Sequence, residues 1–279
     1  EEALPDVRTT APNKGFITKG VVNALLAKVY ASKPTPDWTK VNQYADAVIA
    51  GGYAPLSNFD HLFDGAHKNN SESIWEMQYD GWGGPTGRGN WMTSVIVGSG
   101  WKRFCTPTND LVAAFDAEGD VIRKASSISF KNVSTEGWSD DYWSKSNYPF
   151  INKYRNDDLA NSYIIRLADI KLLKAEALNE LTATGWSTAK TIVDEIRLRV
   201  NLGGTPANTQ AAMRLAIEKE RRLELAFEGH RWFDLLRTNR AVAVMNAQRD
   251  GNGALLYNIS NANLLFPIPQ AERDRNPNL

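Results

Sequence analysis

The spacing of apolar residues changes character along the chain. From Thr18 to Ala31, Val21, Val22, Leu25, Leu26, Val29 and Tyr30 recur at helical intervals and form one broad stripe. Lys33-Pro34-Thr35-Pro36 stops that helix, because proline holds the preceding residue out of helical geometry. Asp37 suits the cap of a second helix, Trp38 to Ala50, which Gly51-Gly52 ends. Two short antiparallel helices spanning about 34 residues have the size of one tetratricopeptide (TPR) repeat. The spacing predicts a second pair: a helix from Tyr163 to Leu181, a break at Gly185, and a helix from Ser187, as cap, to Val200. Alanines 24, 27 and 45, then 168, 175, 177 and 189, suit close helix–helix approach.

Between the pairs, Gly51 to Ser162 reads differently. Ser73 to Tyr79 is β-prone. Gly81 to Trp91 (GWGGPTGRGNW) has too many glycines for regular structure. Thr108 or Asn109 caps a helix through Phe115, and Ser134 to Trp143 (STEGWSDDYW) makes another loop. Irregular stretches of such length are more often functional than passive. After Val200 a turn at Asn201 to Gly204 leads into a helix from Thr209 to about Phe227, a bend at Gly229, and a short helix from Arg231 to Arg237. The proline-punctuated tail LFPIPQAERDRNPNL is expected to return to the core through Leu265, Phe266 and Ile268. The fold class expected is mainly α: TPR-like helical hairpins with a long loop-rich insertion and a few short strands. The segments are 18–50 (hairpin), 51–162 (insertion), 163–200 (hairpin) and 201–279 (C-terminal helices and extended tail).

A chain of 279 residues with 42% hydrophobic and 23% charged residues can fill a core. Its formal net charge of zero disfavours a nucleic-acid partner, since no basic excess exists to neutralise phosphates. One cysteine, Cys105, excludes an internal disulfide and reads as a packed thiol. No apolar run approaches the ~20 residues of a membrane helix, and EEALPDVRTTAPNKG is not a signal peptide.

The most charged stretch, Glu220 to Arg237 (ERRLELAFEGHRWFDLLR), also carries a core-forming set in Leu223, Leu225, Ala226, Phe227, Trp232, Phe233, Leu235 and Leu236. Glu220, Glu224 and Glu228 share one helix face and could serve as acid or base. Each acid, however, has an arginine within reach: Glu218 with Arg222, Glu224 with Arg221, Glu228 with Arg231, Asp234 with Arg237. With no partnered nucleophile, and with His230 a lone histidine at a bend, an architectural role outweighs catalysis. The motif is therefore expected to form an intramolecular charge network.

The stretch EKERRLELAFEGHRWFDLLR closely resembles the signature of the SusD/RagB family of Bacteroidetes outer-membrane proteins. LFPIPQAERDRNPNL resembles the family's closing motif. So do KGVVNALLAKVYA, ADAVIAGGYAPL, NSESIWEMQY, PTNDLVAAFD and RLADIKLLKAEALNEL, in order along nearly the whole chain. The resemblance implies a TPR-like scaffold with loop insertions and no catalysis. It implies a surface lipoprotein at the cell outer membrane that captures glycan, or in some members peptide, for a TonB-dependent, SusC-like transporter. No cofactor is implied. Family members carry a secretion signal, a lipidated cysteine and further helices before the point where this chain begins. Membrane contact is thus expected only through an anchor outside the present sequence. A TPR-type module for peptide or protein in the same uptake machinery is the alternative.

Sugars offer flat C–H faces to aromatic rings and hydroxyl edges to polar side chains. Six of the nine tryptophans, Trp75, Trp82, Trp91, Trp101, Trp138 and Trp143, fall between positions 75 and 143. Trp75 lies in the strand and is assigned to the core, and Trp38, Trp186 and Trp232 to helix packing. The candidate stacking rings are Trp82, Trp91, Trp138, Tyr142 and Trp143. The candidate hydroxyl partners are Asp80, Arg88, Asn90, Asp140 and Asp141. The loops Asp80 to Trp101 and Glu136 to Trp143 are expected on one face. Other motifs carry little. GGPTGRG lacks the Lys-Ser/Thr of a phosphate loop. His61 and His67, six apart, have no HExxH arrangement, so their spacing argues against zinc. Glu136, Asp140 and Asp141 are too few oxygens for calcium, and no glycosidase acid pair can be assigned.

Overall fold

The computed structural model describes residues 1–96, 105–135, 142–155, 158–276 and 278. The chain opens with helix α1 (Lys19–Ala31), where the Thr18 hydroxyl accepts the Val21 N–H, and α2 (Trp38–Ile49), where the Asp37 carboxylate accepts the Lys40 N–H. Such caps satisfy donors that a helix start otherwise leaves orphaned. Strand β1 (Ser73–Met77) and a short helix α3 (Trp91–Ile96) follow. Then come α4 (Asn109–Glu118), capped by Thr108, α5 (Val121–Ser127), capped by Asp120, and β2 (Ile128–Lys131). β3 (Tyr148–Ile151) pairs antiparallel with β2, and β4 (Ser162–Arg166) pairs antiparallel with β1. Helices α6 (Leu167–Leu181), α7 (Trp186–Arg199), α8 (Gln210–Glu224), α9 (Arg231–Arg237), α10 (Ala241–Asn246) and α11 (Gln270–Arg275) follow, with irregular chain between the last two.

Helix α6 is the axis of the molecule. Its Ile170, Leu173 and Ala177 pack with Val21 and Ala24 of α1 and Val41, Ala45 and Val48 of α2. Its Leu172 and Ala175 face the other way, onto Ala189, Val193 and Ile196 of α7 and Met213 and Ile217 of α8. A helix apolar on two faces is the pattern of one buried on both sides. The alanines at these contacts are buried, which allows the close approach expected of them. Trp38, Trp75 and Trp186 pack against these same clusters.

Several expectations require correction. Residues 162–166 are strand, not the first turn of α6. Tyr163 and Ile165 stand opposite Glu76 and Trp75 of β1, and this pairing outcompetes a helical reading of the same residues. Helix α7 starts at Trp186, with Gly185 rather than Ser187 at its cap; the Ser187 hydroxyl instead donates to the Thr184 carbonyl. Helix α8 ends at Glu224, short of Phe227. Phe227 and Gly229 both adopt positive φ (66° and 83°), turning the chain into α9. The tail does not return to the core: Leu265 and Phe266 are 82% and 97% exposed, and Ile268 is exposed too. Cys105 is exposed rather than packed, although partial burial still pushes its thiol up and limits thiolate.

Candidate functional site

The charged stretch that ends α8 converges on segments far away in sequence. Glu224 receives Arg166 Nη1 at 2.6 Å, Arg123 Nη1 at 3.1 Å and Arg199 Nη2. Glu228 binds Arg166 Nε at 2.7 Å and Lys153 Nζ at 2.6 Å, and Glu220 binds Arg123 at 2.6 Å and Arg197 at 3.2 Å. Glu72 joins Arg166 (2.9 Å) to Arg199 (2.6 Å), and Asp120 holds Arg123 Nε. Five cations thus interleave with five carboxylates, every side chain 9% exposed or less. A second group links Arg221 to Asp169 and Asp234, and Arg237 to Asp234 and Glu176. Arg222 reaches Asp110, and Arg231 reaches Glu218.

Burial disfavours the ionised form of every group here, so the directions show which effect wins. For Glu224 burial is overcome by Arg199, Arg166 and Arg123, and its carboxyl lies well below the ordinary range. Glu228 falls to about 2, since Arg166 and Lys153 outweigh its burial. Glu220 moves up: burial prevails over Arg123 and Arg197, and the neighbouring Glu224 adds to it. Lys153 drops to about 8, because burial exceeds the help of Glu228. These acids are all taken up by cationic partners. Within-helix partners were expected, and Asp234–Arg237 is found as such. The other acids take their cations largely from the insertion, β4 and α7, which local spacing could not reveal.

The loop between β1 and α3 has a different character. The Asp80 carboxylate accepts from Thr86 N–H (2.7 Å), Thr86 Oγ1–H (2.8 Å) and Arg88 N–H (3.1 Å), and those bonds hold its carboxyl below the usual range. Asp80 and Gly81 N–H both donate to the Arg88 carbonyl at 3.1 Å. The base of the loop hangs on Asp158: its carboxylate accepts the Trp82 N–H at 2.5 Å and its carbonyl accepts the Asn90 N–H at 2.7 Å. Trp82 is 57% exposed, and its ring lies against buried Gly89, where a Cβ would sit 2.4 Å from the indole. One face of the ring is therefore backed by bare backbone. Trp91, also 57% exposed, begins α3 at the other end of the loop, next to exposed Met92.

The other predicted residues fall in various places. Arg88 is exposed at the loop's edge and Asp80 is half-buried. Asn90 is wholly buried, its amide donating to the Ala160 carbonyl (2.7 Å) and Ser162 Oγ (3.1 Å); it fastens the loop and faces no solvent. Trp143 is half-buried against Val133, Tyr148 and Phe150, and its indole N–H donates to the Pro107 carbonyl at 2.8 Å. Tyr142 stacks edge-on to Trp143, and its hydroxyl donates to the Arg249 carbonyl at 3.1 Å. Both rings pin the chain to its surroundings. Trp138, Asp140, Asp141 and Trp101 lie outside the described residues, as does nearly all of the loop Glu136 to Trp143. Sequence reasoning missed Asp158, which anchors the loop from 76 residues away. Its carboxylate carries no local pattern that could have marked it.

A groove of about 540 Å³ opens beside Trp38, between the ends of α6, α8 and α9. Its arginines are committed to carboxylates on the groove wall: Arg214 to Glu180, Arg231 and Arg240 to Glu218, and Arg237 to Glu176. The groove is charge-compensated and offers a charged ligand little. The aromatic loop is the better candidate.

Residues 132–279, just over half of the chain, match the SusD family. SusD-like protein P2 of Formosa agariphila is 28% identical over 319 aligned positions, covering all of this chain and 61% of that protein. SusD-like protein P38 of the same organism is 39% identical over 126, covering 42% of this chain and 24% of that one. Among solved structures, a laminarin-binding SusD-like protein superposes with a TM-score of 0.76 at 27% identity, covering 97% of this chain and 64% of the other. The chain thus spans less than two thirds of each relative.

Proposed function

Because this chain belongs to the SusD family, we propose that it captures glycan without chemical change and presents it to a TonB-dependent, SusC-like transporter at the outer-membrane surface. The observation that carries this reading is the pair of exposed tryptophans, Trp82 and Trp91, at the two ends of one loop tied to Asp158. An indole backed by glycine and largely exposed suits a sugar's apolar face, while the exposed Arg88 guanidinium offers donors for hydroxyls. The likeness to a laminarin-binding protein supports a glycan ligand. The absorption of the most acidic residues into a buried network argues against hydrolysis, since a glycosidase needs two accessible carboxyl groups across the bond. Surface attachment through a lipid anchor is part of the same proposal.

Calorimetry with laminarin oligosaccharides, a xyloglucan oligosaccharide and a control peptide tests the ligand class. Saturable binding to a glycan, weakened several-fold in Trp82→Ala with an unchanged melting curve, is the expected outcome. Binding to the peptide alone would favour a peptide-capture module, and release of shortened sugars would make the protein an enzyme.

A further inference from the structure

His61, Asp64 and His67 are separated by intervals of three in a segment without regular helix beyond Leu62. The 3-10 turn Phe59–Leu62 is pinned by the buried side chains of Phe59 and Leu62. The chain then doubles back through Gly65, whose φ of 72° is the left-handed region that glycine enters freely. This reversal lays the His67 ring over that of His61, with centroids 4.0 Å apart and planes 9° from parallel. Asp64 completes the group. Its Oδ1 accepts from Ala66 N–H (2.9 Å) and His67 N–H (3.2 Å), and its Oδ2 lies 2.7 Å from His67 Nδ1. One ligand atom from each residue falls within 4.8 Å of the other two.

The far side of the loop is also tied down. Asn70 Nδ2 donates to the His67 carbonyl (2.9 Å) and to Tyr163 Oη (2.6 Å), and the Asn69 N–H donates to the Glu76 carboxylate at 3.0 Å. The three side chains are therefore presented by a segment held at both ends, two half-buried and one exposed. Two imidazoles and one carboxylate are the donor set that borderline first-row divalent ions take, whereas magnesium and calcium favour oxygen alone. A tetrahedral zinc ion with bonds of ~2.0–2.2 Å sets its donor atoms about 3.4 Å apart, so donor atoms at the 4.8 Å limit of this group close by roughly 1.4 Å on ligation. Stacked rings hold their lone pairs in two parallel planes. Ligation turns one ring out of the stack, which partial exposure of both histidines permits without opening the core. Three protein donors then leave a fourth position for water.

We propose that His61, Asp64 and His67 form a binding site for one divalent ion of the zinc class, independent of the glycan reading. Bound there, the ion cross-links the two sides of the 61–67 reversal and stabilises the folded chain in proportion to its concentration over Kd. The test is titration of the metal-free, tag-free chain with Zn²⁺ by calorimetry and with Co²⁺ by visible absorption. One equivalent of Zn²⁺ is expected, together with a Co²⁺ ligand-field band of nitrogen and oxygen ligation. His61→Ala and His67→Ala should each weaken binding at least tenfold, and the double variant should abolish it, with metal-free melting curves unchanged. His61→Gln with His67→Gln keeps polarity and volume, and serves where the alanine pair melts early. Absence of saturable Zn²⁺ binding, or equal affinity in the double variant, overturns the proposal and leaves the histidine stack as packing.

Discussion

Replacing Glu224 by glutamine keeps side-chain volume and removes one charge from the centre of the buried network. Arg166, Arg123 and Arg199 all lose a carboxylate, but none is stranded. Arg166 keeps Glu72 and Glu228, Arg123 keeps Asp120 and Glu220, and Arg199 keeps Glu72. Removing one partner of a buried ion pair costs roughly 3–5 kcal/mol, and the surviving partners place Glu224→Gln at the low end, about 3 kcal/mol. For a chain of this size 1 kcal/mol moves the melting midpoint by roughly 2–4 °C, so a drop of about 6–12 °C is expected by circular dichroism. The balance of five cations against five carboxylates makes a second expectation. Arg199→Met in the Glu224→Gln background restores neutrality, so the double variant should be more stable than the sum of the two losses, by about 1 kcal/mol or more. A Glu224→Gln protein that melts within about 1 °C of the parent, or a strictly additive double variant, would refute the claim that charge balance holds this core together.

Three further outcomes follow from the same geometry. Glu228 sits at about 2 in the folded chain against an ordinary 4.5, so between these values the unfolded chain binds more protons and stability rises with pH. Its contribution, about 3 kcal/mol, is whole above pH ~4.5 and is lost as pH falls toward ~2; urea unfolding at pH 6 and pH 3 checks this, and Glu228→Gln should flatten the difference. Gly89→Ala places a methyl carbon 2.4 Å from the Trp82 indole and should displace the ring; if Trp82 stacks on sugar, the variant weakens glycan binding as much as Trp82→Ala does, by calorimetry, while a normal affinity in both would remove the ring from the site. On α1, Val29 and Leu25, four residues apart on one helix face, are 59% and 37% exposed. That patch should make the chain self-associate at high concentration, and Val29→Glu should return it to monomer in sedimentation velocity.

The helical frame was largely legible because its signals are local. Asp37 and Thr108 cap the helices that their side-chain oxygens suggested. The alanines of α1, α2, α6 and α7 likewise marked the close helix contacts on both sides of α6. Strand β4 was not legible, because Tyr163 to Arg166 fit either helix or strand until β1 is placed alongside, some 90 residues away in the chain. The charge network was legible in kind but not in partners. Arg123, Arg166 and Arg199 meet Glu224 only after the whole chain has folded around α6. In the candidate site, Trp82 and Trp91 were marked by the absence of a periodicity to absorb them, and they are exposed. Asn90 lies in the same stretch with the same polar character, yet it points inward to Ala160 and Ser162, a choice made by residues that no local reading connects to it.

The suspension of the Asp80 to Trp91 loop has an evolutionary corollary. Its attachment is concentrated at its base, in Asp158 and Asn90, and its tip adds nothing to the packing around α6. Substitutions among the tip residues therefore leave the frame's stability almost untouched, and selection can act on them independently of the helices. Such a division lets the tip change quickly between lineages while the frame drifts slowly. Diversification of this kind should leave its substitutions clustered at the tip, with the two fastening positions the last to change.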